Sequence, residues 1–106
     1  MNKRFKLCYL PLFERDLAEV KHYIAHKLKN PAAATRLVED VERAILKRLE
    51  NPLNFKPFHS GRDRKLPYFR INVRRYAVFY VVTHNTMEVR RFLYARRNLP
   101  RALADG

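Results

Sequence analysis

The order of apolar and polar positions divides this chain into two regimes. From Phe13 onward, Phe13, Leu17, Val20, Ile24 and Leu28 recur at spacings of four, three, four and four, which is one stripe of an amphipathic helix. Asp16 and Glu19 sit near its start and Lys27 and Lys29 near its end, the distribution a helix dipole favours. Asn30-Pro31 then closes that helix and opens a second, with Asn30 as N-cap and Pro31 at the first helical position. The second stripe runs through Ala34, Leu37, Val38, Val41, Ile45 and Leu49, and Asn51-Pro52 ends it. Beyond residue 66 the period becomes two. Tyr68, Phe69, Ile71 and Val73 interleave with Arg70, Asn72 and Arg74. Residues 76–82 (YAVFYVV) carry no charge, as expected of a strand covered on both faces. His84-Asn85-Thr86 is turn chemistry, and alternation resumes from Met87 through Tyr94. The pattern predicts a three-stranded antiparallel meander. A short strand at or near a sheet edge is predicted ahead of the helices, over residues 5–10, stopped by Pro11.

Composition bounds this picture without changing it. A chain of 106 residues with 47% hydrophobic positions fits one domain, residues 1–106, with a single core. The longest apolar run is far shorter than the roughly 20 residues needed to cross a bilayer, so no membrane partner is expected. The basic start, Met1-Asn2-Lys3-Arg4, leads into a strand pattern rather than a signal-peptide core. With Cys8 as the lone cysteine no internal disulfide can form, and a cytoplasmic location is the expectation.

Charge does change the picture. The formal net charge is +13, and residues 51–106 hold twelve basic side chains against three acidic ones. The excess therefore travels with the meander and points to a polyanionic or strongly acidic partner. The connection over residues 54–67 (NFKPFHSGRDRKLP) adds Lys56, Arg62, Arg64 and Lys65. An irregular loop of that length is a candidate functional segment.

Conventional catalytic and metal chemistry finds little support. Cys8 has no general base near it in sequence and reads as a small filler. His22 and His26 share a helix face but lack the third ligand and neighbouring Glu of a zinc motif. No metal and no cofactor are expected.

The predicted order, strand, two helices, basic loop and three strands, together with several local sequences, resembles the RelE/ParE superfamily of small bacterial toxins encoded beside an antitoxin. The matching pieces are Asp16-Leu17, Asn51-Pro52, Tyr68-Phe69-Arg70-Ile71, Tyr76-Ala77-Val78-Phe79-Tyr80 and Leu93-Tyr94-Ala95-Arg96-Arg97-Asn98, together spanning most of the chain. The resemblance implies an α+β, βααβββ fold, with a helical hairpin packed on one face of a twisted antiparallel sheet. It leans toward the ParE-like, plasmid-stabilisation branch.

Two activities follow from that resemblance. ParE-like members poison DNA gyrase. RelE-like members are ribosome-dependent mRNA endoribonucleases, needing no metal, that stabilise the cleavage with basic residues. For the second activity, Arg70 and Arg97 match basic positions, and His59, His84 or Tyr94 are the candidate proton carriers. The chain departs from the cleaving pattern at Ala77, where an Arg is common, and in a tail, residues 99–103, with no Tyr or His. Gyrase poisoning is therefore the favoured expectation, with ribosome and mRNA as the alternative target and an inactive or plain nucleic-acid-binding member as a third. Lys65, Arg70, Arg74, Arg75, Arg96 and Arg97 are the candidate target-binding residues, with Arg70, Arg74, Arg75, Arg96 and Arg97 expected to gather on the sheet face the helices leave open. An acidic antitoxin that folds on binding is the expected partner. Phe13, Tyr23, Phe92 and Tyr94 are its expected anchors, and it is expected either to lay an amphipathic helix into a groove beside the helical hairpin or to add a strand at a sheet edge, residues 5–10 or the 87–94 strand.

Overall fold

The computed structural model describes residues 4–57, 66–96 and 103. Strand β1 (Lys6–Tyr9) runs straight into helix α1 (Pro11–His22). Leu10 holds the N-cap position in an extended conformation, and Pro11 occupies a first-turn site where its missing N–H costs nothing. The helix does not continue unbroken to Leu28 as its stripe implies. Residues Tyr23–Lys27 form a single π-helical turn, in which Leu28 N–H bonds to the Tyr23 carbonyl at 3.2 Å. That turn spends an extra residue, so Leu28 rotates off the stripe and is exposed. Lys29 follows with φ 52°, the left-handed residue that ends the helix. The Asn30 side chain accepts from Ala33 N–H at 3.1 Å and caps helix α2 (Pro31–Leu49), as its sequence predicts.

Strands β2 (Phe69–Val73), β3 (Tyr76–Thr83) and β4 (Thr86–Tyr94) form the antiparallel meander. The two-residue turns between them begin with Arg74 and His84, both at positive φ. In the four-stranded sheet the order is β1-β4-β3-β2, and β1 pairs with β4 in parallel. The sheet is thus mixed, not wholly antiparallel. The reason is that the helical hairpin carries the chain to the far edge before the meander returns. The same order corrects an expectation about edges. The 87–94 strand is internal, flanked on both sides, and the open edges belong to β1 and β2.

Both helices cover one sheet face. Phe13, Leu37, Val41 and Ile45 pack there with Val78, Tyr80, Met87, Val89 and Phe92. The alternate positions of β3, Ala77, Phe79 and Val81, meet Tyr68, Leu93 and Leu103 on the opposite face. Residues 76–82 lack charge because β3 has cover on both sides.

One irregularity sets the phase of β4. The β3–β4 register shifts between Phe79 and Tyr80, so that Val89 and Phe92, three residues apart, both face the helices. Arg91, at the bulge, reaches α1. Its Nε donates to Asp16 Oδ2 at 2.8 Å and its Nη2 to Oδ1 at 3.3 Å. Phe92 N–H donates to the same carboxylate at 3.0 Å. This bidentate pair is nearly enclosed, with side-chain exposures of 8% for Arg91 and 12% for Asp16. A second polar clasp holds the segment after α2. Tyr80 Oη donates to the Pro52 carbonyl at 2.7 Å and accepts from Arg48 at 3.0 Å, while the Arg48 guanidinium lies 3.5 Å over the Phe55 ring.

Candidate functional site

Three surfaces carry the residues singled out by the sequence. The first is the sheet face opposite the helices. Register places Arg70 across from Phe79 there, with its guanidinium 5.9 Å over that ring and its Nε donating to Asn72 Oδ1 at 2.7 Å. Arg90 lies on the same face, with Nη2 2.7 Å from Glu88 Oε1. Burial acts to lower the Arg90 pKa, but the Glu88 carboxylate and the Tyr68 phenol outweigh it and hold the guanidinium above its usual value. Arg90 was not singled out from sequence, because in the alternation it read as one more solvent-side charge. Ala77 forms part of this face's floor and is wholly buried.

The second surface is the end of the sheet where the β2–β3 turn meets the end of β4. Ala95 N–H bonds to the Arg75 carbonyl at 2.8 Å, and Tyr76 stands opposite Tyr94 in the register. The Tyr76 ring stacks on Phe92, with centroids 5.0 Å apart, and meets Tyr94 edge-on at 5.9 Å. Tyr23, at the start of the π-turn, adds to this group. Burial chiefly, then the Tyr23 and Tyr94 phenols, push the Tyr76 pKa up, against the lowering effect of Arg75. Tyr23 and Tyr94 are 51% and 42% exposed, and Arg75 and Arg96 are exposed beside them.

Arg74 does not join Arg70. Its left-handed backbone turns the side chain to the helix side, where Nη2 sits 2.6 Å from Asp40 Oδ2. Asp40 also takes Arg43 at 3.0 Å, and the Arg74 hydrogen bond is the main cause of its lowered pKa. The expected gathering of arginines on the open face therefore fails at Arg74. Arg70 and Tyr94 also part company: Arg70 lies over the open face and Tyr94 against Tyr76 on the helix side. His84 sits in the β3–β4 turn, at the other end of β3 from Tyr76. His59, Lys65 and Arg97, with Arg62 and Arg64, fall outside the described residues.

The third surface is a groove of about 260 Å³ between α1 and α2, closed at one end by β1. Phe13, Leu17, Val41 and Ile45 supply an apolar floor, and Glu14, Lys21 and Glu42 a charged rim. Tyr9 stacks on Phe13 at 5.4 Å and forms the end wall. Burial, then the Glu42 charge, raise the Tyr9 pKa. The four aromatic anchors expected from sequence divide here. Phe13, 3% exposed, belongs to the floor, and Phe92, 1% exposed, is core. Tyr23 and Tyr94 stand at the sheet end instead. The α2 stripe included Val38, but Ala18 was missed; the modest bulk of both leaves the groove open, and the small Ala18 beside the α1 stripe was the available signal. The His22 and His26 rings are 4.3 Å apart and tilted by 36°, and both residues are exposed. Among the described residues no group of three or more His, Cys, Asp or Glu side chains converges as metal ligands would. No described helix is long and apolar enough to cross a membrane.

No curated protein matches the sequence. Among solved structures, a chain of the chromosomal ParDE TA system from P. aeruginosa superposes with a TM-score of 0.67 at 16% identity, covering 89% of this chain and 99% of that one. At that identity the likeness speaks for the fold. The family model for the ParE toxin of the type II toxin–antitoxin system parDE matches residues 7–99. The chain belongs to the ParE toxin family of type II toxin–antitoxin systems.

Proposed function

We propose that this member arrests growth by poisoning DNA gyrase in the cytoplasm, and that an acidic antitoxin segment silences it by laying an amphipathic helix into the α1–α2 groove. The observation that carries the choice of target is the separation of Arg70 from Tyr94 by the thickness of the sheet. Cleavage of RNA by 2′-hydroxyl attack needs a charge stabiliser and a proton carrier within reach of one phosphate. Ala77, where cleaving relatives commonly place an Arg, is sealed beneath Tyr68, Leu93 and Leu103. A gyrase poison needs no such set. The groove supports the antitoxin reading, since its apolar floor suits the helix-in-groove mode of recognition and Lys21 on its rim can meet an acidic side chain. The positive net charge suits an acidic partner and speeds its approach.

Purified protein tests the target directly. Loss of supercoiling by gyrase, with no codon-dependent cleavage of mRNA on programmed ribosomes, is the expected pair of results. Robust mRNA cleavage with gyrase unaffected would overturn the proposal in favour of the ribonuclease reading. For the partner, enlarging Ala18 to Trp fills the groove from its edge. It is expected to weaken binding of the acidic segment by at least about tenfold, on the order of one buried side chain's contribution, with gyrase inhibition retained.

A further inference from the structure

The tyrosine end of the sheet has features that neither the groove nor the open face explains. Tyr76 is fixed from below by its stack on Phe92, and from the side by the edge of Tyr94. Tyr94 is about half exposed against it, and Tyr23, also about half exposed at the start of the π-turn, lies near enough for its phenol to help raise the Tyr76 pKa. Phenolic rings at that level of exposure gain little for the fold, and holding them in fixed geometry prepares flat surfaces for a ligand. Cations border the rings on the two neighbouring turns, Arg75 after β2 and Arg96 after β4. Neither has an ion-pair partner among the described residues. The nearby carboxylate, Asp40, is occupied by Arg74 and Arg43. Glu19, one turn before Tyr23, is paired with Arg15 at 3.7 Å, which leaves the charge of Arg75 and Arg96 beside the rings.

We propose that Tyr23, Tyr76 and Tyr94, with Arg75 and Arg96, form a platform for a single nucleic-acid strand, whose bases stack on the exposed rings while its phosphates meet the guanidinium groups. Stacking faces and free cations side by side are what sequence-tolerant single-strand binding requires. An acidic protein segment would use the charges but has no flat faces to match the rings. Duplex DNA would offer phosphates, yet its bases are already stacked on each other. Arg can contribute twice, through phosphate contacts and by lying over an aromatic or base face. The inference is independent of gyrase, because the strand is read by the chain itself.

The test measures binding of a fluorescent oligothymidylate of about 15 nucleotides, within the span such platforms cover, by anisotropy against salt. Tyr23→Ala and Tyr94→Ala are each expected to weaken it roughly 5- to 100-fold, while Tyr23→Phe and Tyr94→Phe keep most of the affinity. Arg75→Ala with Arg96→Ala should shallow the slope of log affinity against log salt by about 1.4, two single-strand phosphate contacts. Arg36→Ala with Lys47→Ala, exposed charges on α2, is the charge-matched control. All replaced side chains are exposed, and circular dichroism checks that each variant is folded. Tyrosine variants that bind no worse than this control would overturn the platform. So would a polyglutamate that competes as well as the oligonucleotide with the same tyrosine dependence, which would make the end a surface for acidic protein. A duplex showing equal tyrosine dependence would overturn the single-strand assignment.

Discussion

Removing the Asp16 carboxylate should cost more than any other single polar change in the described fold. Asp16 accepts three hydrogen bonds, two from Arg91 and one from the Phe92 backbone, at an enclosed site between α1 and the β4 bulge. Asp16→Ala takes the carboxylate partner from a buried guanidinium, and losing one member of a buried pair costs about 3–5 kcal/mol. The Phe92 amide loses its acceptor too, but its penalty of about 1–3 kcal/mol overlaps the first and is not simply added. A domain of this size has a total stability of about 5–15 kcal/mol, so the loss is a large fraction of it. At roughly 4–5 °C per kcal/mol, the melting temperature should fall by about 12–25 °C. Asp16→Asn keeps one oxygen acceptor and should lose about 1.5–3 kcal/mol, the worth of a charge-assisted bond. Urea denaturation of Asp16→Ala, Arg91→Met and the double variant closes a cycle, with an expected coupling of about 2–3 kcal/mol. A cost below about 1 kcal/mol for Asp16→Ala, with additive effects in the double variant, would refute the claim that this enclosed pair is the costliest polar contact to lose.

Three further outcomes are expected. Ala77→Arg should not restore RNA cleavage, even with Arg70 present, because it buries a charge among Tyr68, Phe79 and Leu93; a fall in melting temperature above about 10 °C, with no cleaved mRNA, is the expected result. Tyr80 is held above the ordinary value of 10.0 mainly by burial, against the opposing pull of Arg48. The folded chain keeps that proton after the unfolded chain has released it, so its contribution is full below pH of about 10 and is lost as pH rises through the folded pKa. Melting curves from pH of about 9 upward should show this fall, and Tyr80→Phe should flatten it. Tyr80→Phe should also loosen the 51–57 segment, seen as faster chymotryptic cleavage after Leu53 or Phe55, since the Pro52 carbonyl loses its 2.7 Å donor.

The features legible in the sequence were those written in local pattern. Alternation around Arg70 and Asn72, the uncharged run of β3 and the Asn30-Pro31 junction each correspond to an observed element. What escaped was set by contacts distant in the chain or by backbone detail with no side-chain signature. The parallel pairing of Cys8 with Glu88 joins positions eighty residues apart, and nothing local to either encodes it. The π-turn is silent because Leu28 continues the apolar spacing it then leaves. The bulge hides in Arg90-Arg91, two charges that read as continued alternation until Asp16 claims one of them. Among the candidate residues, side-chain type predicted chemistry but not side. Arg74 has the identity of a surface cation, yet one positive φ sends it to Asp40. Phe92 has the identity of an anchor, yet the bulge makes it core.

Helix α1 separates the two proposed surfaces, and the separation constrains how a partner can silence the protein. Asp16 and Tyr23 lie seven residues apart and so share one flank, which faces Arg91 and the tyrosine end. Glu14, Ala18 and Lys21 lie on the other flank and line the groove. Between them runs the stripe of Phe13, Leu17, Val20 and Ile24 that is packed on the sheet. A helix seated in the groove therefore contacts α1 on the side away from Tyr23, and covers neither Tyr94 nor Arg96. For neutralisation to act on the tyrosine end, the antitoxin segment must pass over the exposed π-turn as well as fill the groove. A partner peptide cut to the groove's length should then bind with most of its apolar contact, yet leave oligonucleotide binding unchanged. The longer segment should abolish both. Competition between the short peptide and the oligonucleotide would break this argument, since it would mean that the two surfaces are coupled through α1 rather than separated by it.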